Sequence, residues 1–374
     1  MSRETDAFTI GVEEEFQIIN PLTYALSADI EHILPQAREI LGDAVQYELI
    51  LSQVEVATPV CHTLAEVRAA VARMRRVIID AAARADRRIA AAGTHPFSSW
   101  HEQPITPKER YQLLVNDYQR LIREQVIFGC HVHVGLSDRE RALDVMNRAR
   151  VWLSPLLALS ANSPLSDGAD TKYASFRTGL WWISPLSGPP PFFLSRHEHD
   201  AFIRALVATR SVEDASRIYW DIRLPERYET IEFRVMDVCM TIDETIMIAG
   251  LIRALVRACH EASLRETPVP EVRAELLRVA NWRAARYGLE GELIDVVAER
   301  AVPAAELIAR FLAFLRPALE AEGDWEQISA LVARTLSQGN GATRQRAVFQ
   351  ATGSVEQVVQ YIIDETARGC EASY

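Results

Sequence analysis

Three pairs of side chains in this 374-residue chain are separated by one residue each: Glu13 and Glu15, His131 and His133, Glu232 and Arg234. That spacing puts both members of a pair on one face of a β-strand, because successive side chains point to opposite faces. In 8–19 one face carries Thr9, Gly11, Glu13, Glu15 and Gln17, and the other Ile10, Val12, Phe16 and Ile18, interrupted by Glu14. In 127–135 one face holds Gly129, His131, His133 and Gly135 against Phe128, Cys130, Val132 and Val134. In 230–238 Thr230, Glu232 and Arg234 oppose Ile231, Phe233 and Val235. Carboxylates gathered on one face raise one another's pKa unless a cation neutralises them. Glu13, Glu15 and Glu232 converging with His131 therefore imply at least one divalent metal. A set of mostly oxygen donors with one imidazole suits Mg²⁺ or Mn²⁺ better than zinc. Glu48 and Glu55 flank a mostly apolar stretch; alone each reads as a solvated surface acid, and they gain weight from the strand-like Val-Glu-Val-Ala-Thr at 54–58.

The elements that must position these residues are legible from periodicity. Period-two runs at 8–19, 47–57, 127–135 and 230–238 predict strands, each apolar on one face, as in an antiparallel sheet packed on one side and open on the other. Ser or Thr followed three residues later by an acid or Gln predicts helix starts at Thr63, Thr106 (with Pro107 in the first turn), Ser137, Thr241 and Ser354. The first helical run is predicted from Leu64 to about Ala92, with Gly93 as its stop. Beyond Thr241 the pattern is almost entirely helical. No βαβ rhythm and no glycine-rich phosphate loop after a strand is present, which disfavours Rossmann and P-loop domains. The expectation is one α+β domain over 1–374, strand-rich in 1–240 and mostly helical in 241–374.

Composition sets the outer bounds. Hydrophobic residues make up 49% and charged residues 24%, the balance of a soluble globular chain. A formal net charge of −11 argues against sequence-independent nucleic-acid binding. No apolar stretch approaches the ~18 residues of a membrane span, and the opening MSRETDAF lacks a signal-peptide layout. The five cysteines are odd in number and scattered, with no C-x-x-C, so a reducing cytoplasm is the expected compartment.

Ordered motifs then carry a resemblance. They are Gly-Val-Glu-Glu-Glu-Phe (11–16), Val-Glu-Val-Ala-Thr (54–58), Gly-Thr-His-Pro-Phe (93–97), Phe-Gly-Cys-His-Val-His-Val-Gly (128–135), Ala-Leu-Ser-Ala-Asn-Ser-Pro (158–164), Trp-Asp-Ile-Arg (220–223), Ile-Glu-Phe-Arg-Val-Met-Asp (231–237), Arg-Tyr-Gly-Leu-Glu-Gly (286–291) and Gly-Asn-Gly-Ala (339–342). Together they resemble the ATP-dependent carboxylate–amine ligases, also called type 2 glutamate–cysteine ligases. The resemblance implies a glutamine-synthetase-like fold, a curved antiparallel sheet whose concave face holds nucleotide, metals and amino acid. It implies that ATP phosphorylates the γ-carboxylate of glutamate and that an amine, cysteine in some members, displaces the phosphate. It implies one metal cluster of Glu15, Glu48 and Glu55 and a second of Glu13, His131 and Glu232. His133 is then expected beside the nucleotide, with Arg234 at the phosphoryl group, Arg177 and Arg223 at the substrate carboxylate or transferred phosphate, and Arg344 with the 339–342 loop over the nucleotide. Small-molecule substrates follow, ATP and Mg²⁺ or Mn²⁺ as cofactors, and a homo-oligomer stays open.

Two other readings stay open. His131-x-His133 after a strand also begins the metal site of binuclear hydrolases, although eight βα repeats are lacking. A non-catalytic relative that keeps metal and nucleotide is the other. Several residues sit outside the pattern. Glu14 falls in an apolar row and is expected at the sheet edge or paired with an arginine. His95 is expected to be a loop residue in preference to a pocket residue. His197 and His199 are expected on the surface, and Trp181 and Trp182 against the sheet or a pocket wall.

Overall fold

The computed structural model describes residues 8–370. The predicted strands assemble into one seven-stranded sheet: β1 (Ile10–Ile19), β2 (Val45–Tyr47), β3 (Gln53–Ala57), β4 (Arg88–Ala90), β5 (Gly129–Gly135), β6 (Ile222–Arg223) and β7 (Thr230–Asp237). Its antiparallel order is β6-β7-β5-β1-β3-β2, with β4 paired to the end of β1 through Ile18 and Ile89. β1 and β5 register Glu13 opposite His131, β1 and β3 register Glu15 opposite Glu55, and β7 and β5 register Glu232 opposite His133. The charged rows of separate strands therefore fall side by side.

The opposite face is the core. Ile10, Val12, Cys130, Val132, Val134, Ile231 and Phe233 pack with the apolar side chains of a 23-residue helix, Ile242–Leu264. Phe16, Ile18, Val54 and Val56 pack against Leu64–Arg84. Among helices used below, α1 is Leu64–Arg84, α2 Phe176–Trp181, α3 Ile242–Leu264, α4 Trp325–Gln338, α5 Gly341–Thr352 and α6 Val355–Ala367. No helix among the described residues is long and apolar enough to cross a membrane. The five cysteines are free and buried.

Local chemistry sets most boundaries. The Thr63 hydroxyl accepts from the Glu66 N–H, the Ser354 hydroxyl from Gln357, and Thr241 with Glu244 forms a reciprocal capping box. Two predicted starts move. The cap at 138 is Asp138, one residue past Ser137, because its carboxylate accepts from both Glu140 and Arg141. Thr106 caps nothing: its hydroxyl donates to the Glu48 carbonyl, and the helix begins at Glu109. The run expected to Ala92 stops at Arg84, since Asp86 adopts a left-handed φ of 52° and the chain returns as β4, burying Ile89. The run expected over 47–57 is two strands with Glu48 in the turn region between them. In β7 the register shifts between Phe233 and Met236, so neighbouring Val235 and Met236 both enter the core.

Glu14 is paired, as one of its two expected readings has it. Arg75 of α1 donates from Nε to one carboxylate oxygen at 3.0 Å and from Nη2 to the other at 2.5 Å, and Thr245 adds a hydroxyl at 2.7 Å. Arg75 also donates to the carbonyls of Cys239 and Met240, so the pair ties β1, α1 and the start of α3 together with both charges satisfied.

Candidate active site on the open face of the sheet

The open face of β1, β3, β5 and β7 lines a cavity of about 470 Å³ that includes Glu13, Glu48, Glu55, His131, His133, Arg223, Glu232 and Arg234. Two sets of three donors each bring ligand-competent atoms within 4.8 Å of one another: Glu13, His133 and Glu232, and Glu15, Glu48 and Glu55.

The sets differ in how their charge is held. Glu232 is buried and lies between two guanidiniums: Arg223 Nε donates at 2.6 Å and Arg234 pairs with the other oxygen. Burial pushes the Glu232 carboxyl up, yet Arg234 and Arg223 outweigh it and hold it well below the usual range. Glu13 behaves likewise: burial opposes ionisation, and the imidazoles of His131 (3.0 Å) and His133 (3.2 Å) hold the carboxyl low. In the second set, burial and the neighbouring Glu48 charge lift Glu15 to about 7, against Arg177 and the Gly129 N–H. Glu48 is raised by burial, with Arg110 opposing. Glu55 is pushed well above its ordinary value by burial and then by Glu48, Glu13 and Glu15. Glu15 is buried and Glu48 and Glu55 are half-buried, and three carboxylates this close with no dedicated arginine do not all ionise at neutral pH without a cation among them. Both sets therefore fit a hard divalent ion held mainly by oxygen. His133 Nε2 lies 3.2 Å from a Glu13 oxygen without an aligned hydrogen bond, and His131 Nε2 is a buried nitrogen with no partner.

One imidazole differs from the expected set. His133 joins Glu13 and Glu232 in the three-donor set, where His131 was expected. The reason is register: His133 stands opposite Glu232, whereas His131 stands opposite Glu13 and its Nε2 is 3.9 Å from Glu15, between the two sets. Burial, reinforced by Arg234, lowers His131 to about 4, so it is neutral at pH 7.

Arg177, from α2, is buried beside this face, and Gly129 makes room for it: a Cβ there would collide with the guanidinium and lie 3.2 Å from His131 Nε2. Trp181 packs against the arginines, with its ring centroid 5.5 Å from the Arg177 guanidinium carbon and 5.4 Å from that of Arg234. The 163–178 segment is clamped by Asp237 at the end of β7, whose carboxylate accepts from the hydroxyls of Ser163 (2.6 Å) and Ser175 (2.7 Å) and from the Asn162 N–H. Arg344 is not brought to the site. It pairs with Glu244 and Glu365 and lines a separate cavity, because α5 packs behind the sheet.

His95 is a loop residue: its Nδ1 accepts from the N–H groups of Phe97 and Ser98, and Nε2 lies 2.9 Å from the Tyr24 carbonyl. His199 departs from the expected surface position; it is 6% exposed, edge-on to Phe193 and Trp220. The spacing of the pairs gave no sign of Arg110, from the helix Glu109–Tyr118, Tyr219, from a two-residue strand, or Tyr228, from the loop before β7, which also line the cavity. Gln53, which donates to Glu15 at 3.2 Å, was legible in principle as the residue two before Glu55.

The profile of glutamate–cysteine ligase family 2 matches residues 9–361. A protein of Rhodopirellula baltica named "Putative glutamate--cysteine ligase 2" is 40% identical over 363 residues, 96% of each chain. One of Mycolicibacterium smegmatis, of the same name with the suffix 2-3, is 40% identical over 359 residues, 96% of this chain and 98% of its own. Among solved structures, the glutamate–cysteine ligase of Francisella tularensis in complex with AMP superposes with a TM-score of 0.72 at 10% identity, over 98% of this chain and 91% of that one. A bifunctional glutathione synthetase of Pasteurella multocida gives a TM-score of 0.72 at 16% identity over 97% of this chain, which spans 53% of that longer enzyme. These likenesses show the fold, which is α+β and glutamine-synthetase-like. By profile match and by identity across almost its whole length, the chain belongs to glutamate–cysteine ligase family 2.

Proposed function

We propose that the chain is an ATP-dependent carboxylate–amine ligase acting as one catalytic unit over 1–374, with glutamate as the carboxylate and cysteine as the first candidate amine. The observation that carries this is the pair of adjacent three-donor sets on one open sheet face, with Arg177, Arg223 and Arg234 beside them. A hydrolase with a histidine-rich binuclear site fits less well, because five of the six donors are carboxylates.

In this reading Glu13, His133 and Glu232 would hold one divalent cation and Glu15, Glu48 and Glu55 another, with His131 between them. Mg²⁺ or Mn²⁺ bound there supplies the positive charge that offsets negative charge on the phosphates during transfer. The chain's own residues do the rest. Arg234, stacked on Trp181, is set to receive the γ-phosphoryl oxygens with a planar fork of donors. Arg177 is held beside Glu15 through the Asp237 clamp and is set toward the substrate carboxylate or the transferred phosphate. Arg223 shares Glu232 with Arg234, so each guanidinium keeps donors free for an anion. A γ-carboxylate oxygen of glutamate bonds to the γ-phosphorus and ADP leaves. The amine nitrogen then bonds to the acyl carbon, the carbon–oxygen bond to phosphate breaks, and the amine proton passes to water. The substrates are small molecules, and the compartment is the reducing cytoplasm.

Hydroxylamine offered with ATP, Mg²⁺ and glutamate tests this. The expected result is glutamyl hydroxamate appearing in step with ADP and inorganic phosphate. Hydroxamate formed without ATP would indicate a hydrolase, and ATP bound with no ADP formed would indicate a non-catalytic relative. Phosphate release with glutamate fixed and each amine varied then identifies the second substrate; an amine that outperforms cysteine by a wide margin displaces it.

A further inference from the structure

Behind the helices that back the sheet lies a cavity of about 720 Å³, between α1, the start of α3 and the segments that join or end α4, α5 and α6. Six arginines line it: Arg68, Arg73, Arg76, Arg334, Arg344 and Arg368. Only three acids do, Asp243, Glu244 and Glu365. None of the carboxylates, histidines or arginines of the open sheet face reaches it.

The acids are already shared. Asp243 pairs with Arg68 at 2.5 Å and Arg334 at 2.8 Å, Glu365 with Arg368 at 2.5 Å and Arg344 at 3.5 Å, and Glu244 with Arg344. Arg73 donates only to the Ile40 carbonyl. Arg76 is half-buried at the wall and makes no hydrogen bond or ion pair among the described residues. Among the described residues, a chain of net charge −11 thus concentrates three more arginines than acids in one concavity. Such a concavity focuses the field on whatever anion enters. Its volume lies within the usual range of small-ligand sites, and guanidinium forks match phosphate oxygens two at a time.

We propose that this cavity binds a small polyanion carrying several phosphate groups, at a site distinct from the open sheet face and independent of the ligase reading. Arg76 and Arg73 supply the unpaired charge, and Arg344 and Arg334 turn from their carboxylates to meet the ligand. Arg344, which the sequence associated with a nucleotide, thereby keeps an anion-binding role at another place in the fold.

Tripolyphosphate is the probe, titrated calorimetrically into the metal-free full chain. Saturable binding is expected, weakened about tenfold by Arg76→Ala and further by Arg76→Ala with Arg334→Ala, since each guanidinium lost removes charge-assisted bonds. Arg76→Ala breaks no bond of the fold among the described residues, so a normal melting temperature accompanies the loss. The binding lost in the Arg76→Ala series persists in Arg234→Ala, on the sheet face, which removes at most a separate binding event there. Binding that survives the double variant, binding abolished by Arg234→Ala, or no binding to the wild-type chain at about 10 mM probe, weaker than ordinary ligand affinities, would each overturn the proposal.

Discussion

Glu14 and its neighbours Glu13 and Glu15 lie on one strand, and the fold treats them oppositely. Glu14 faces the core and has its own arginine, with both oxygens of the carboxylate bound by Arg75. Glu15, facing the other way, joins the half-buried Glu48 and Glu55 in a group without an arginine of its own, and its carboxyl rises to about 7. A protein that can bury an acid with full compensation on one side of a strand, and leaves three acids short of cations on the other, has left room for a cation to be supplied from outside. The open face repeats the contrast within itself, since Glu232 is held by Arg223 and Arg234 whereas Glu55 is not.

Breaking the core pair gives the largest expected effect. Arg75→Met strands Glu14 as a buried charge and should cost about 3–5 kcal/mol in urea unfolding. Glu14→Gln combined with Arg75→Met should recover part of that loss. A cost below ~1 kcal/mol for Arg75→Met would place Glu14 with the surface pairs. Glu232→Gln comes next and acts on chemistry: ATP-dependent turnover should fall roughly 10²–10³-fold, as when one preorganised charge is removed from a transition state. Its apo stability should fall as well, because the folded carboxyl lies below its unfolded value and contributes stability at neutral pH.

Glu15→Gln sharpens the comparison by reversing that sign. A carboxyl whose folded pKa is raised from 4.5 to about 7 contributes its stability below pH 4.5 and loses it as pH rises through 7. The metal-free variant should therefore melt higher than the wild-type chain at pH 8, by of order 1–3 kcal/mol, and show little gain at pH 4. Mg²⁺ should erase the difference at pH 8 by stabilising the wild type more, through the ion at the set that Glu15 completes. Smallest is Trp181→Leu: loss of the ring against Arg177 and Arg234 should raise KM for ATP or glutamate several-fold, about 0.5–2 kcal/mol, with little change in folding. An unchanged KM would make the tryptophan a packing residue alone.

Sequence reasoning reached the acids because strand alternation is strict and each open-face pair sits in an otherwise apolar strand. It reached the caps at Thr63, Thr241 and Ser354 because those hydroxyl oxygens accept from the N–H three residues on, as the local pattern implies. It missed at Thr106, whose hydroxyl is drawn to the Glu48 carbonyl in the distant turn between β2 and β3, and at Asp86, where a left-handed turn ends a helix that composition would extend. That His133 joins the three-donor set was invisible for a related reason. Alternation says which face His131 and His133 share, but only cross-strand register says which acid each one meets. Arg344 was misplaced because a glycine-bounded loop carries no mark of which side of the sheet its helix will pack on.

Manganese binding tests the central claim most directly. With ATP present, electron paramagnetic resonance of free Mn²⁺ titrated with the chain should show two bound ions per chain. Glu55→Gln with Glu48→Gln should retain one, and Glu13→Gln with Glu232→Gln the other. No bound manganese in the folded wild-type chain, or occupancy indifferent to both double variants, would contradict the reading of the open face as a two-cation site.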